Sequence, residues 1–566
     1  VAITDIERLR IHLQWAIELE HSTLPPYLTA LYSLHAEHNR QAAGVLLSVA
    51  IEEMLHMMLV ANVLNAVGGQ PRLDHPEFLP QYPAYMPHSN RAFQIHLARF
   101  CPESVETFMR IEKPEDHFAV PEDENYETIG QFYDALEVGL VRLCAELGEA
   151  AVFSGDPARQ LAPEAFHYAG SGKVIVVTDL ATARQALEEI KEQGEGLNHK
   201  AIWDGDRSMF HPSRRELSHY FRFNEIYTGR CYAAHDTPQS GPTGAAFPVD
   251  WSAVYNSRSD PGNSDYPEGS EIRAKLEAFN QAYCDMLRLM HRSFNGQPEM
   301  MAVAVGVMYE IKHRAVELMQ MPSGDGKTTV GLTFEYAPPL TAAQLASTPR
   351  RIVVRRNGPY IVEGDVPLCR KSRVMSELGE ALTWKNETRY ERPSTCALCR
   401  CGRSDAKPYC DGSHVRARFD GTETASAEPR SSRVAEYPGT KIMVKHDRTI
   451  CAFSTFCENK VTDVWEMAEQ TGDTRVRAQV IAMIERCPSG ALTYELESLG
   501  EANEPSLPLE ISVIADGPLW VTGGIAIERA DGQAAEVRNR ITLCRCGRSK
   551  NKPYCDGTHI DVKFQG

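Results

Sequence analysis

Glu53 and His56 stand three residues apart in Glu52-Glu53-Met54-Leu55-His56, inside a long apolar stretch from about Gln41 to Val67. Leu46, Val49, Glu53, His56, Val60 and Val63 recur at steps of three and four, so they line one face of a helix. A carboxylate and an imidazole on an otherwise apolar face are costly to bury without a partner, and a metal ion is the usual one. Glu-x-x-His on facing helices is the spacing by which helical bundles hold two iron or manganese ions. The alternative is a surface-facing Glu beside a hydrogen-bonded core His. Glu216-Leu217-Ser218-His219 repeats the spacing far downstream, and the repetition favours the metal.

The elements that must carry these residues are helical. Leu9, Leu13, Ala16, Glu20 and Leu24 keep helical spacing in a helix expected over residues 5–37, and Glu20 replaces an apolar residue on that face. Glu18 lies on a neighbouring face and is the alternative to Glu20. Pro25-Pro26 should bend or restart the helix. The second helix ends at Gly68-Gly69, and a proline-rich loop follows. Amphipathic segments come next at 91–111 and 128–149. Lys173-Val174-Ile175-Val176-Val177 reads as a short strand or buried connector. A helix from about Ala181 ends in Gln193-Gly194-Glu195-Gly196, and two more are expected over 271–294 and 298–320. Residues 1–336 are therefore expected to be one helical domain. The order Glu, Glu-x-x-His, Glu, Glu-x-x-His is the one a four-helix carboxylate bridge requires.

Glu18-Leu19-Glu20-His21-Ser22-Thr23-Leu24-Pro25-Pro26-Tyr27 resembles the ferritin-like family that includes the iminophenyl-pyruvate dimer synthases of bisindole biosynthesis. So do Ala50-Ile51-Glu52-Glu53-Met54-Leu55-His56-Met57, Gln193-Gly194-Glu195-Gly196 and His219-Tyr220-Phe221-Arg222-Phe223. The resemblance implies a dimetal site held by Glu20, Glu53, His56, Glu195, Glu216 and His219. Glu137, beside Tyr133 and Leu140, is the alternative to Glu195 as third carboxylate. Glu192 and Glu225 are read as groups behind the ligands or as solvated charges. Tyr220 and Arg222 would orient the ligands, meet an acidic substrate, or simply pack.

Residues 337–349 read as a linker, after which the hydrophobic period changes to that of strands around the turn Asn357-Gly358-Pro359. Cys399-Arg400-Cys401-Gly402 and Pro408-Tyr409-Cys410-Asp411-Gly412-Ser413-His414 then recur as Cys544-Arg545-Cys546-Gly547 and Pro553-Tyr554-Cys555-Asp556-Gly557-Thr558-His559. The constant offset marks an internal repeat. Both units, 350–421 and 508–566, resemble the CDGSH iron–sulfur family. That resemblance implies a [2Fe–2S] cluster on Cys399, Cys401, Cys410 and His414, and another on Cys544, Cys546, Cys555 and His559. Thiolates suit iron–sulfur clusters, and an imidazole in place of a thiolate raises the potential. A zinc site with the same ligands is the alternative, although the Cys-x-Cys spacing is too tight for the usual zinc knuckle.

After a linker at 422–439, residues 440–497 carry Cys451, Cys457 and Cys487-Pro488 and resemble mono-cluster bacterial ferredoxins. Ser454 stands where a fourth cysteine is wanted. Three thiolates suit a [3Fe–4S] cluster, or a [4Fe–4S] cluster with another fourth ligand; a cluster-free module is the alternative. Cys369 and Cys396 have no assigned role, and Cys101, Cys144, Cys231 and Cys284 read as buried helix residues.

At 566 residues the chain should hold three or more domains. A net charge of −17 argues against nucleic acid or an anionic membrane as partner. The absence of an uninterrupted apolar run of about 18 residues argues against a membrane span, and the first residues show no signal-peptide pattern. These features favour the cytoplasm. Eleven of the fifteen cysteines follow residue 360, and nine of those fall in the repeated and ferredoxin-like motifs, which points to metal ligation rather than disulfides.

The expected whole is an α-helical ferritin-like bundle followed by small β-rich CDGSH domains and an α+β ferredoxin-like module. Its expected activity is an oxidoreductase: two irons (or manganese ions) in the bundle activate O₂ or peroxide against a small, amino-acid-derived metabolite. The clusters on the same chain supply electrons received from an external reductase or ferredoxin, and tethering raises their effective concentration. The alternative from another class is an iron–sulfur carrier or redox sensor with the bundle as scaffold; metal analysis of the bundle separates the two. Iron storage fits poorly with large insertions between helices.

Overall fold

The computed structural model describes residues 3–35, 37–114, 119–163, 172–195, 201–207, 215–341, 344, 347–377, 380–496 and 502–566, with the backbone alone for Glu195, Ala502 and Asn503. It divides into two compact units, Val1–Ala304 with Met308–Pro339, and Val305–Val307 with Leu340–Gly566.

The first unit is helical: α1 (Ile6–Ser33), α2 (Arg40–Ala66), α3 (Pro102–Ile111), α4 (Ile129–Leu147), α5 (Glu149–Val152), α6 (Leu180–Glu195), α7 (His219–Thr228), α8 (Glu271–Phe294) and α9 (Met300–Met319). Asp5 caps α1 by accepting from the Arg8 N–H at 2.8 Å. The helix does not restart at Pro25-Pro26 but runs through both. Each proline removes a backbone donor and frees a carbonyl one turn earlier. The Ser22 carbonyl accepts instead from the Tyr82 hydroxyl at 3.0 Å, so a side chain from the following loop keeps the helix whole.

Helix α2 is long and apolar enough to cross a membrane, yet 72 % of its apolar stretch is buried within the structure. It packs along α1, and α6 lies against α2 and α4. Helix α3 packs on α7. Of the segment expected to be amphipathic helix over 91–111, only the last ten residues are helical. Lys173–Val177 is a connector that joins no sheet among the described residues; Val174 and Val177 are buried while Lys173 and Val176 are exposed, and the Asn62 and Gln160 side chains satisfy its carbonyls at Ile175 and Val177.

Around Glu216 the expectation of a helical Glu-x-x-His fails. Glu216 lies on β2 (Arg215–Leu217), paired antiparallel with β1 (Trp203–Arg207). Ser218 turns the chain, and His219 is the first residue of α7. A strand–turn–helix junction points the two side chains differently from one helical face.

Among the described residues, the second unit holds three sheets. They are built from β3 (Arg351–Val354), β4 (Tyr360–Glu363), β5 (Leu368–Met375), β6 (Ala381–Tyr390), β7 (Thr395–Leu398), β8 (Ala435–Pro438), β9 (Ile442–His446), β10 (Leu492–Leu496), β11 (Ala502–Asn503), β12 (Glu510–Ile514), β13 (Leu519–Thr522), β14 (Ala526–Glu528) and β15 (Arg540–Leu543). The orders are β14-β3-β4-β7, β15-β13-β12-β5-β6 and β11-β10-β9-β8. The two repeats exchange strands. β5 of the first runs parallel to β12 of the second, with Ile511 opposite Leu368, and β14 of the second runs parallel to β3 of the first, with Ile527 opposite Ile352. The two CDGSH segments, expected as separate stretches, therefore share their sheets. Their turns match: Asn357 and Asp516 both adopt φ of 52°. The middle module adds helices Val464–Ala468 and Thr474–Glu485 against β9 and β10.

Candidate metal and iron–sulfur sites

Four segments bring acids and imidazoles together inside the bundle. Glu20 comes from α1, Glu53 and His56 from α2, Glu112 from the end of α3, and His219 from the start of α7. Glu20, Glu53 and His56 form one group whose ligand atoms all lie within 4.8 Å of one another; Glu53, Glu112 and His219 form another. Glu53 belongs to both, and all five residues are buried.

The two imidazoles are oriented alike. His56 turns Nδ1 toward Glu20 (3.1 Å) and Glu53 (4.0 Å), while Nε2 donates to the Gln193 side-chain oxygen at 2.9 Å. His219 turns Nδ1 toward Glu53 (3.0 Å) and Glu112 (3.3 Å), while Nε2 donates to Glu52 at 2.8 Å. A partner behind the ring holds a proton on Nε2 and turns Nδ1 toward the carboxylates, where it would be free to ligate a metal once its own proton is displaced. The rings stack 5.6 Å apart at 24°. Tyr133 donates to Glu20 and Tyr27 to Glu112; the Thr23 hydroxyl donates to Glu53 at 3.0 Å.

The charges show what the centre lacks. Burial, then Glu112 and Glu20, push the Glu53 carboxyl up to about 8. Burial opposes charge on His219, but Glu112, Glu52 and Glu53 hold its pKa well above the ordinary value. His56 is raised too, because Glu20 outweighs its burial. Three buried carboxylates thus crowd two imidazoles, and additional positive charge is what such a set accommodates. The donor set, carboxylate oxygens and imidazole nitrogens in two groups sharing one carboxylate, fits two first-row metal ions.

Arg222 lies behind this centre. It is buried, 2.9 Å from Glu52 and 2.8 Å from Asp204. Burial would raise the Glu52 carboxyl, but Arg222 and His219 bring it down to about 2. Arg222 therefore keeps Glu52 ionised to accept from His219, and the orienting alternative is the one its contacts fit.

Several expected ligands stand elsewhere. Glu216 is buried 3.6 Å from Arg222 and belongs to neither group. Glu137 pairs with Arg184 (2.7 Å) and Lys191 (3.2 Å) at the surface of α4, so the alternative third carboxylate is an ion-pair residue. The side chain of Glu195 lies outside the described residues. Glu192 is half-buried, and Glu225 accepts from the Tyr232 N–H at 2.7 Å. Glu18 is half-buried near His88. Glu112 is the carboxylate the sequence reading missed. Its signal was present: Val105, Phe108 and Glu112 continue the three–four spacing of α3, with an acid where an apolar residue belongs, as at Glu20.

In the second unit the repeated ligands come as pairs. Cys399 and Cys401 sulfurs lie 3.9 Å apart, and Cys410 Sγ lies 3.3 Å from His414 Nδ1. The second repeat gives 3.8 Å for Cys544–Cys546 and 3.3 Å for Cys555–His559. Burial holds both imidazoles below their ordinary pKa, suited to neutral ligation. Gly402 and Gly547 stand back to back: a Cβ on either would lie 2.6 Å from the carbonyl oxygen of Cys546 or Cys401 respectively. In the middle module, burial and then Cys487 and Cys451 push the Cys457 thiol up to about 12. All fifteen cysteines are free thiols. Cys369 lies 3.3 Å from the Ser512 hydroxyl, and Cys396 accepts from Arg392. Cys144 and Cys284 are buried on α4 and α8, whereas Cys101, at the start of α3, and Cys231, in the loop after α7, are half-buried.

Comparison with known proteins agrees with this arrangement. Residues 13–228 match the family described as Ferritin-like. Residues 357–415 and 516–560 match the iron-binding zinc finger CDGSH type, and residues 437–497 match the divergent 4Fe-4S mono-cluster family. The chain therefore carries a ferritin-like N-terminal domain followed by two CDGSH-type domains around a divergent 4Fe-4S module.

Among curated proteins it is similar to dichlorochromopyrrolate synthase of Lentzea aerocolonigenes, 27% identical over 55% of this chain and 31% of the relative. It is also similar to 2-imino-3-(indol-3-yl)propanoate dimerase of Chromobacterium violaceum, 25% identical over 57% of this chain and 33% of the relative. The chain thus spans about a third of the length of these relatives. A crystal structure of a ferritin like protein from Caulobacter vibrioides superposes with a TM-score of 0.41 at 23% identity, over 60% of this chain and 100% of the other.

Proposed function

We propose that the chain is an oxidoreductase whose bundle holds two irons, or manganese ions, on Glu20, Glu53, His56, Glu112 and His219, and which oxidises a small metabolite of aromatic amino-acid origin. The observation that carries this reading is the pair of buried ligand groups sharing Glu53, with both imidazoles presenting Nδ1 to the carboxylates. A dimetal centre of this kind supplies activation of dioxygen or peroxide. Both curated relatives bear enzyme names, one of them an imino-acid dimerase, and a 2-imino acid with an aromatic side chain is accordingly the proposed substrate class. Joining two such molecules removes two hydrogens. They leave as two electrons and two protons, which reduce dioxygen to peroxide or peroxide to two waters.

The chain's own groups have definite parts in this reading. Glu53, common to both groups, would contribute to holding both metals. Gln193 and Glu52 fix the tautomers of His56 and His219, and Arg222 holds Glu52 ionised. The hydroxyls of Tyr133 and Tyr27, hydrogen-bonded to Glu20 and Glu112, hold protons at the edge of the centre. Glu195 remains proposed as a further carboxylate ligand.

The iron–sulfur sites are proposed to supply the two further electrons that, with two protons, reduce the peroxide formed from dioxygen to two waters; they are filled from an external one-electron donor of the ferredoxin type. Among the described residues, three-ligand groups this close occur only in the bundle. The four CDGSH ligands fall instead into two pairs, which suits a two-iron cluster better than one tetrahedral zinc. The three middle cysteines are proposed to hold a [3Fe–4S] cluster, or a [4Fe–4S] cluster with a further ligand.

Anaerobic iron, manganese and sulfide analysis of the full chain, followed by oxidant consumption with an aromatic 2-imino acid, tests the reading. About two metals beyond those matched by sulfide, and substrate-dependent consumption of oxidant, are expected. A bundle without metal would leave the electron-carrier alternative.

A further inference from the structure

Within the second unit, the middle module is seated on the second CDGSH motif. Gly557, between Cys555 and His559, has φ of 85°, and a Cβ there would overlap the ring of Phe453. Phe453 lies in the loop between Cys451 and Cys457 and itself adopts φ of 53°. That left-handed conformation is costly for a bulky residue and persists only where surrounding contacts impose it. Those contacts are present. Asn551 donates to the Thr449 carbonyl at 2.6 Å and Arg373 to the Ser454 carbonyl at 3.3 Å. Trp384 donates to the carbonyl of Arg486, the residue before Cys487, at 3.1 Å and packs on Phe456 and Trp520.

The two metal-binding loops face each other across a cleft of about 300 Å³, with Ala452, Phe453 and Ser454 on one side and His559, Ile560 and Lys563 on the other. The first motif is reached differently, through the back-to-back glycines Gly402 and Gly547.

We propose that the middle site exchanges electrons with the His559 site and reaches the His414 site only through it, with Phe453 as the positioning residue that closes the gap. This rests on the reading that all three sites carry clusters. In each exchange one electron leaves one site, which is oxidised, and enters its neighbour, which is reduced; no atom moves. The external donor is the one-electron iron–sulfur protein proposed above, and dithionite stands in for it in the test.

The experiment uses the full chain purified anaerobically, with iron and sulfide counted first. His559→Cys and His414→Cys mark the two CDGSH signals in the electron paramagnetic resonance spectrum of the dithionite-reduced protein. The expected result is that the paramagnetic reduced middle site broadens, and speeds the relaxation of, the [2Fe–2S] signal that moves in His559→Cys, clearly more than the one that moves in His414→Cys. Phe453→Ala should keep the cluster count and all potentials but slow inter-site equilibration after flash reduction several-fold, and Phe453→Leu should restore part of the rate. Equal coupling to both marked sites, stronger coupling to the His414 site, or an unchanged rate in Phe453→Ala overturns the proposal. A count that closes without a third cluster overturns it too, and the missing iron shows that the underlying assignment, not the wiring, has failed.

Discussion

The bundle and the second unit assemble their candidate metal ligands in opposite ways. In the bundle, Glu20, Glu53, Glu112 and His219 come from four segments, and no two neighbouring ligands except Glu53 and His56 are close in sequence. In each CDGSH motif all four ligands fall between Cys399 and His414, or between Cys544 and His559. A local motif fixes its ligands through one turn, whereas a distributed site exists only when helices have packed. The bundle site should therefore respond to single changes as a whole and depend on groups behind its ligands, while the cluster sites should fail one at a time.

The largest expected effect follows from the carboxylate that belongs to both groups. Glu53→Ala should remove essentially all bundle metal while the visible absorption of the clusters stays; Cys544→Ala should lose one cluster and leave bundle metal intact. Metal analysis beside absorption spectra checks both, and retention of one bundle metal in Glu53→Ala would break the shared-ligand reading.

Arg222→Ala comes next. It strands the buried carboxylates of Glu52 and Asp204, and breaking a buried pair in this way costs about 3–5 kcal/mol. A denaturant titration should show the bundle transition moving while that of the second unit does not.

Glu52→Gln should be milder. The imidazole of His219 keeps a partner but loses a charged one, and changes behind a metal-bound His typically cost about 10–100-fold in affinity. Competition with a chelator measures it, and an unchanged affinity would show that His219 needs no support.

The smallest effect is expected at Glu137, whose ion pairs with Arg184 and Lys191 are partly exposed. Glu137→Ala should cost at most about 1 kcal/mol and leave bundle metal unchanged. Loss of metal there would return Glu137 to the site and displace Glu112.

The same contrast governs what could be read from sequence. Cys399, Cys401, Cys410 and His414 announce themselves because spacing and residue type carry the whole arrangement, and the second copy repeats it. Glu53 and His56 were legible because one helix sets their relation, and Glu20 because it interrupts an apolar stripe on α1. Glu216 misled because the same three-residue spacing spans a strand and a helix start, where periodicity has no meaning. Glu112 stayed hidden at the end of a short helix, although it carried the same interruption of a stripe as Glu20.

The sequence alone determined the residue types, the helical character of the first unit, the internal repeat and the local ligand clusters, because each depends on neighbours within a turn or two. Only the tertiary structure decided the rest. Packing of α3 on α7 brought Glu112 to His219. Packing of α6 on α2 put Gln193 behind His56. Burial of Arg222 gave Glu52 its charge. Parallel pairing of β5 with β12 and β14 with β3 joined the two repeats, and Phe453 came to rest on Gly557. These contacts link residues far apart in the chain. Their register is set by which apolar faces can be buried together, and no local pattern records that.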